Sequence, residues 1–279
     1  MSLKTNQIFY STGCIKGTLE ERINSWRLQG KTNIEISYPI YDDKTFEKLH
    51  KIKEIYGLRF ILHNYIPVNE YQFVFNLGSL EDSIRHRSQE IALRAIKETA
   101  MLGEKFYSFH APFQFDPKIT TLGNTLDLSE LYDAQKVINA FKGSLDVLCK
   151  EAEKYKVLLL IENNVITKNN LKIFGQDPLL FTGLSYNNDF CQIADTYNIY
   201  FLLDIGHLNV SKNTLGFDID EFMDIYKPRI KGLHLSSNDS KKDQNLMPSN
   251  EFISLFGEFI TLEYATYEVT MKSFLLGKN

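Results

Sequence analysis

The chain has 279 residues, 43% of them hydrophobic, with 31 basic against 35 acidic side chains and a net charge of −4. No Lys/Arg-rich block is present, which argues against a general nucleic-acid binder, and no apolar stretch approaches the ~20 residues that a membrane span requires. The three cysteines, Cys14, Cys149 and Cys191, are scattered and form no C-x-x-C pair, so zinc-ribbon and thioredoxin readings fail and a reducing cytoplasm is the expected location.

In chain order, the first strand-like run covers 8–11 and leaves no room for a signal peptide ahead of it. Thr18-Leu19-Glu20-Glu21 is a capping-box pattern that opens a helix, and Gly30 follows that helix. A run over 33–37 comes next, then a helical segment over 43–56 with apolar Phe46, Leu49, Ile52 and Ile55 and a stop at Gly57. A strand over 58–63 precedes a long amphipathic helix over 79–102, and a strand over 105–110 precedes a long loop, 111–128, and a second long helix over 129–155. The run 157–162 leads into another long loop, 163–187, and a helix over 188–197. Strands over 200–204, 230–234 and 259–263 alternate with helices over 218–227 and 249–257, and 267–279 leaves space for only a short last helix.

Eight strand–helix units at about 35 residues each predict a parallel sheet closed into a (β/α)8 TIM barrel, one domain over 1–279. A doubly wound open sheet is the alternative, but Gly13 and Gly17 alone do not make its phosphate-binding fingerprint. The loop 163–187 is apolar, with Leu171, Ile173, Phe174, Leu179, Leu180 and Phe181. That composition suits a cover over the barrel mouth, a homo-oligomer interface or a local cluster packed on the barrel.

The chemistry collects at the strand ends: Glu35, His63, His110, Glu162, Asp204 with His207, His234 and Glu263. A barrel points all these ends at one mouth. Taken singly, a strand-end His reads as a hydrogen-bonded structural residue, and Glu35, inside Ile34-Glu35-Ile36, reads as facing solvent or pairing locally. His50 and His86 lie in polar helical contexts. Together, the carboxylates repel one another by about 4 kcal/mol per pair at 4 Å and an effective dielectric of 20. A divalent cation removes that cost, and carboxylate plus imidazole suits Zn²⁺, Mn²⁺ or Co²⁺.

Phe109-His110-Ala111-Pro112, Ile161-Glu162-Asn163-Asn164, Leu203-Asp204-Ile205-Gly206-His207-Leu208-Asn209, Gly232-Leu233-His234-Leu235 and Thr261-Leu262-Glu263-Tyr264 together resemble the xylose-isomerase-like TIM-barrel superfamily. That superfamily includes sugar isomerases and epimerases and also endonuclease IV. The resemblance implies one divalent metal held by Glu162, Asp204, His234 and Glu263, with enediolate formation eased by the metal. Glu162 and Glu263 would move protons on opposite faces of a small carbohydrate, with His207 assisting and Asn164 and Tyr65 binding substrate.

Leu62-His63-Asn64-Tyr65, Phe75-Asn76-Leu77-Gly78 and His110 resemble the endonuclease IV branch, which implies a multinuclear zinc site and abasic-site cleavage. His63, His110 and Glu162 would hold a second metal, and His207 and Asp243 belong to a third. There Asn245 stands in place of a histidine, and an amide is a poor zinc ligand. The acidic balance and Asn245 favour the sugar enzyme over a nucleic-acid partner. A lyase on the same site is a further alternative.

Overall fold

Parallel strands with helical crossovers follow one another along the chain. They are β1 Ile8–Ser11, α1 Leu19–Arg27, β2 Asn33–Ile36, α2 Thr45–Tyr56, β3 Arg59–His63, α3 Asp82–Met101, β4 Phe106–His110, α4 Ala134–Tyr155, β5 Leu158–Glu162, α5 Lys168–Phe174, α6 Asp189–Tyr197, β6 Tyr200–Asp204, α7 Ile205–Leu215, α8 Ile219–Tyr226, β7 Ile230–Leu235, α9 Asn250–Ser254, β8 Tyr264–Tyr267 and α10 Met271–Leu276. The computed structural model describes residues 4–37, 42, 44–64, 73–118, 131–174, 189–256 and 262–277. Each strand pairs in parallel with the next and β8 returns to β1, so the sheet closes into an eight-stranded (β/α)8 barrel. The first seven strands lie within a residue of their expected limits. Residues 257–261, and with them most of the run expected to form the eighth strand, lie outside the described residues; the strand that closes the barrel is β8.

The alternation of side chains along each strand decides what faces the barrel axis. Phe9, Ile61, Phe106, Leu160, Leu202 and Tyr264 form one apolar cluster, a plug inside the barrel. Their strand neighbours, such as Ile34, Ile36, Phe60, Tyr107, Ile161, Phe201 and Leu233, pack outward into the larger layer under the helices. Two residues beyond the plug along the same faces stand Ser11, His63, Ser108, Glu162, Asp204 and Thr266. The apolar plug therefore forces those polar side chains to the axis and toward the carboxyl ends of the strands.

Gly232 is where the plug needs the absence of a side chain. A Cβ there would stand 2.8 Å from Tyr264 Cζ and 2.9 Å from Leu202 Cδ1. Gly232→Ala is expected to overpack the barrel and lose about 1–3 kcal/mol of stability. It would be read as a lower denaturant midpoint with an unchanged m-value.

Outside the sheet, the capping box at Thr18 forms as read: the Thr18 hydroxyl accepts the Glu21 N–H and the Glu21 side chain accepts the Thr18 N–H. Trp26 of α1 is fully buried against Tyr10 and Phe274, and its indole N–H donates to Ser11 O at 2.8 Å. This ties α1 and the short closing helix α10 to β1. At the mouth, Asn76 donates to Phe113 O, Phe115 O and the Asp116 carboxylate, which also accepts from Ser79 and Tyr132. Asn76 is thus a strut that joins the connections after β3 and β4.

Candidate functional site

Donors from β3 to β8 converge on Glu162. Its Oε2 lies 2.9 Å from His63 Nε2 and 3.5 Å from His110 Nδ1, while its Oε1 lies 3.1 Å from His234 Nδ1. His234 Nδ1 also stands 2.9 Å from Glu268 Oε2 and 3.8 Å from Asp204 Oδ2. Two donor groups result, each with its atoms within 4.8 Å of one another: His63, His110 and Glu162; and Glu162, Asp204, His234 and Glu268. Glu162 is common to both.

Each donor is aimed by a neighbour. His234 Nε2 meets Glu35 Oε2 at 3.1 Å, and the Thr266 hydroxyl donates to the same oxygen at 2.9 Å. His63 Nδ1 meets Ser108 Oγ at 2.9 Å, which leaves Nε2 facing Glu162. Asn163 grips β6 from β5: its Oδ1 accepts the Asp204 N–H at 2.8 Å and its Nδ2 donates to Asp204 O at 3.0 Å. Asp204 Oδ1 then caps α7 by accepting the His207 N–H at 2.7 Å. Asp204 Oδ2 is left toward the cluster, a division of labour that follows from placing the carboxylate at a helix N-cap.

His207 is fixed by the Asn163 carbonyl, 2.9 Å from Nδ1, so its Nε2 turns toward Asp243, 3.6 Å away. Asp243 is brought there by the connection after β7, which is pinched shut by paired backbone bonds between Ser237 and Leu246. Asn245 donates its side-chain amide to Asp243 Oδ2 at 3.3 Å. At the position the resemblance marks for a histidine, this chain has a residue that restrains the neighbouring carboxylate.

The expectation for Glu263 is corrected. Glu263 precedes β8 at the amino end of the barrel, where it pairs with Lys105 at 3.2 Å and Lys231 at 3.7 Å. Side-chain parity is the reason: Tyr264 belongs to the interior plug, so Thr266 and Glu268 share its face and Glu263 does not. Glu268, which the sequence reading passed over, is the acid that joins Glu162, Asp204 and His234. Its signal was the continued strand pattern through Tyr264-Ala265-Thr266-Tyr267.

The solvent-facing reading of Glu35 is also corrected, because it is fully buried beneath His234. In a closed barrel the apolar Ile34 and Ile36 face the helices, and the residue between them faces the axis. Asn164 is buried and donates to Ala111 O, joining the ends of β4 and β5. Tyr65 and most of the apolar loop 163–187 lie outside the described residues. Asn163 was missed as a positioning group; its only signal was its place directly after Glu162. The three cysteines are free, and among the described residues no helix is long and apolar enough to cross a membrane.

The donor chemistry fits a divalent cation. Asp204 Oδ2 and His110 Nδ1 are buried without a hydrogen-bond partner among the described residues, and Glu162 Oε2 has only the imidazoles of His63 and His110 beside it, an arrangement that is costly unless a cation takes the free electron pairs. Burial pushes Asp204 up to about 7, with Glu162, Glu268 and Asp243 adding to the rise against His207. Burial pushes His110 down to about 4. Burial disfavours the charged form of His234 too, but Glu35, Glu162 and Glu268 overcome it and raise its pKa well above the ordinary value. Burial likewise opposes ionisation of Glu162, yet His110, His63 and His234 hold it well below the usual carboxylate range.

Ligand atoms must be deprotonated to bind a cation. Metal loading near neutral pH is therefore expected to expel protons from His234 and Asp204, and affinity is expected to rise with pH across about 6–8. Calorimetric titration in buffers of different ionisation enthalpy would measure this; an affinity flat over that range would refute it.

The profile of the xylose isomerase-like TIM barrel family matches residues 28–264. The chain is 28% identical over 180 residues to a probable endonuclease 4 of Petrotoga mobilis, an alignment that spans 61% of this chain and 53% of that protein, so it reaches only about half the relative's length. Among solved structures it resembles a D-tagatose 3-epimerase-like protein at TM-score 0.63 and 16% identity, covering 98% of this chain and 96% of the other. It also resembles 3-keto-D-glucoside 4-epimerase of E. coli at TM-score 0.65 and 13% identity, covering 98% of each. A Thermus thermophilus protein from zinc-soaked crystals superposes at TM-score 0.60 and 13% identity, covering 98% and 96%. With the profile spanning most of the chain and the barrel closed as that fold requires, this protein belongs to the xylose isomerase-like TIM-barrel family.

Proposed function

We propose that the chain is a divalent-metal-dependent isomerase or epimerase of a small sugar or sugar derivative. The observation that supports this most directly is the group of Glu162, Asp204, His234 and Glu268, in which two glutamates from strands three apart share one set of donors. A divalent cation bound there supplies Lewis acidity that eases loss of a proton beside a carbonyl. Glu162, held anionic, takes that proton, and Glu268, less buried at 17% exposure, exchanges one at the other side of the same carbon. His207, oriented by Asn163 and Asp243, donates from Nε2 to a substrate oxygen. Phe113 and Phe115 after β4 and Ile166 after β5 pack into a buried apolar cluster that fixes those two connections.

Incubating the metal-loaded protein with ketoses in D2O tests this: a ketose C–H beside the carbonyl is expected to exchange, followed by proton NMR, and Glu162→Gln is expected to abolish exchange. Full exchange in the variant would remove the proposed base.

One observation favours a second reading. His63 and His110 join Glu162 in a second donor group, which a single-cation isomerase does not need. Two cations there would suit phosphoester hydrolysis, and hydrolysis of bis(p-nitrophenyl) phosphate requiring two metal equivalents would support it over the isomerase.

A further inference from the structure

Two odd-numbered strands end in a donor followed directly by asparagine: His63-Asn64 at the end of β3 and Glu162-Asn163 at the end of β5. Both asparagines meet the same problem of register. The ladder between β3 and β4 ends at the pair His63 and Ser108, and His110 stands two residues farther along β4. The ladder between β5 and β6 ends at Glu162 and Leu202, and Asp204 stands two residues farther along β6. Each of these even-strand donors keeps its pairing on the other side, His110 with Glu162 and Asp204 with His234. A strand end held from one side only can pivot, and a buried main-chain N–H left there without an acceptor is costly.

The asparagine side chains hold the missing side. Asn64 Oδ1 accepts the His110 N–H at 3.2 Å, while the Asn64 N–H donates to Ser108 O at 3.0 Å. Asn163 Oδ1 accepts the Asp204 N–H at 2.8 Å and its Nδ2 donates to Asp204 O at 3.0 Å. A carboxamide has the acceptor and the donor of a peptide group, so each side chain carries the ladder one step past its last main-chain pair. Asn64 does this at φ 42°, a left-handed conformation that asparagine adopts more readily than most residues. His110 depends on it. Among the described residues its Nδ1 makes no hydrogen bond, whereas Ser108 holds the ring of His63 and Glu35 that of His234. The place of the His110 imidazole is therefore set through its main chain.

We propose that Asn64 and Asn163 are positioning residues that fix the spacing of neighbouring donors, Asn64 through the main chain of His110 and Asn163 through that of Asp204. This rests on the divalent-cation reading of the cluster and is the same for an isomerase or a hydrolase. The two asparagines differ in what can replace them, because a carboxylate accepts but does not donate. Asn64→Asp keeps an acceptor for the His110 N–H. Asn163→Asp sets a carboxylate oxygen against Asp204 O, where Nδ2 donates now.

Amide hydrogen exchange of the metal-free full chain and calorimetric titration with Mn²⁺ test this together. In Asn64→Gly the His110 amide is expected to exchange about tenfold faster, the effect of losing one ordinary hydrogen bond, and Asn64→Asp is expected to restore it. In Asn163→Ala the Asp204 amide is expected to behave likewise, with Mn²⁺ bound about 10–100-fold more weakly, and Asn163→Asp is expected not to restore that affinity. Unchanged protection of both amides, or wild-type Mn²⁺ affinity in Asn163→Ala, would overturn the proposal while leaving the cation site standing. Faster exchange spread along all of β4 or β6 would also overturn it, since that is what a packing residue produces. Should Asn163→Ala not fold, Asn163→Asp and the two Asn64 variants decide the matter. A wild-type protein that binds no Mn²⁺, Zn²⁺ or Co²⁺ would overturn the cation reading and the proposal with it.

Discussion

Glu268→Gln is expected to abolish metal binding and turnover together, while Glu263→Gln leaves both intact. Glu268 is the strand-8 member of the four-donor group and lies 2.9 Å from His234 Nδ1. The amide loses the charge that balances a cation and the capacity to move a proton, for a loss of about 10²–10⁴ in kcat. Glu263 sits at the other end of the barrel against Lys105 and Lys231. Its carboxylate is a third exposed, so its two ion pairs are worth about 0–1 kcal/mol. Calorimetric metal titration and isotope exchange on both variants check this. A dead Glu263→Gln beside an active Glu268→Gln would reverse the assignment.

The Glu263 and Glu268 pair also marks where sequence reasoning runs short. Strands β1 to β7 were legible because each is an apolar run closed by a polar residue, and because capping and glycine stops bracket the helices between them. The candidate ligands on β3 to β7 followed, since His63, His110, Glu162, Asp204 and His234 each stand at the end of such a run. The eighth strand carries a carboxylate at both ends, so the same rule selected the wrong one. Only the inward position of Tyr264, set by the plug and by the space left at Gly232, decides the parity.

Glu35 was misread for a related reason. Ile34-Glu35-Ile36 has the alternation of a strand with one wet face, and in an open sheet the glutamate would be outside. Closure of the barrel turns that face inward. Neither Asn163 nor Asn245 is legible as a positioning residue from its own type, because their partners, Asp204 and Asp243, are recognised as neighbours only once the chain is folded.

The buried Glu35 leads to the second large effect, in which Glu35→Gln is expected to lower metal affinity about 10–100-fold without unfolding the protein. Glu35 accepts from His234 Nε2 and from the Thr266 hydroxyl on one oxygen, while its other oxygen is buried without a partner among the described residues. An anionic acceptor keeps a proton on Nε2, so that the Nδ1 electron pair faces Glu162, Asp204 and Glu268. Burial opposes its ionisation, but His234 beside it overcomes this and holds Glu35 below its ordinary pKa. Glutamine keeps the shape but removes the charge, and its NH2 turned toward His234 would accept nothing from Nε2. The imidazole would then carry its proton on Nδ1, pointed into the cation site.

Thr266→Val, which removes only the second hydrogen bond to the same oxygen, is expected to shift affinity in the same direction by a smaller factor. The histidine tautomer can be read directly from ¹⁵N chemical shifts of the zinc-loaded and metal-free proteins. Wild-type affinity in Glu35→Gln, with Nδ1 still unprotonated, would reduce Glu35 to a packing residue.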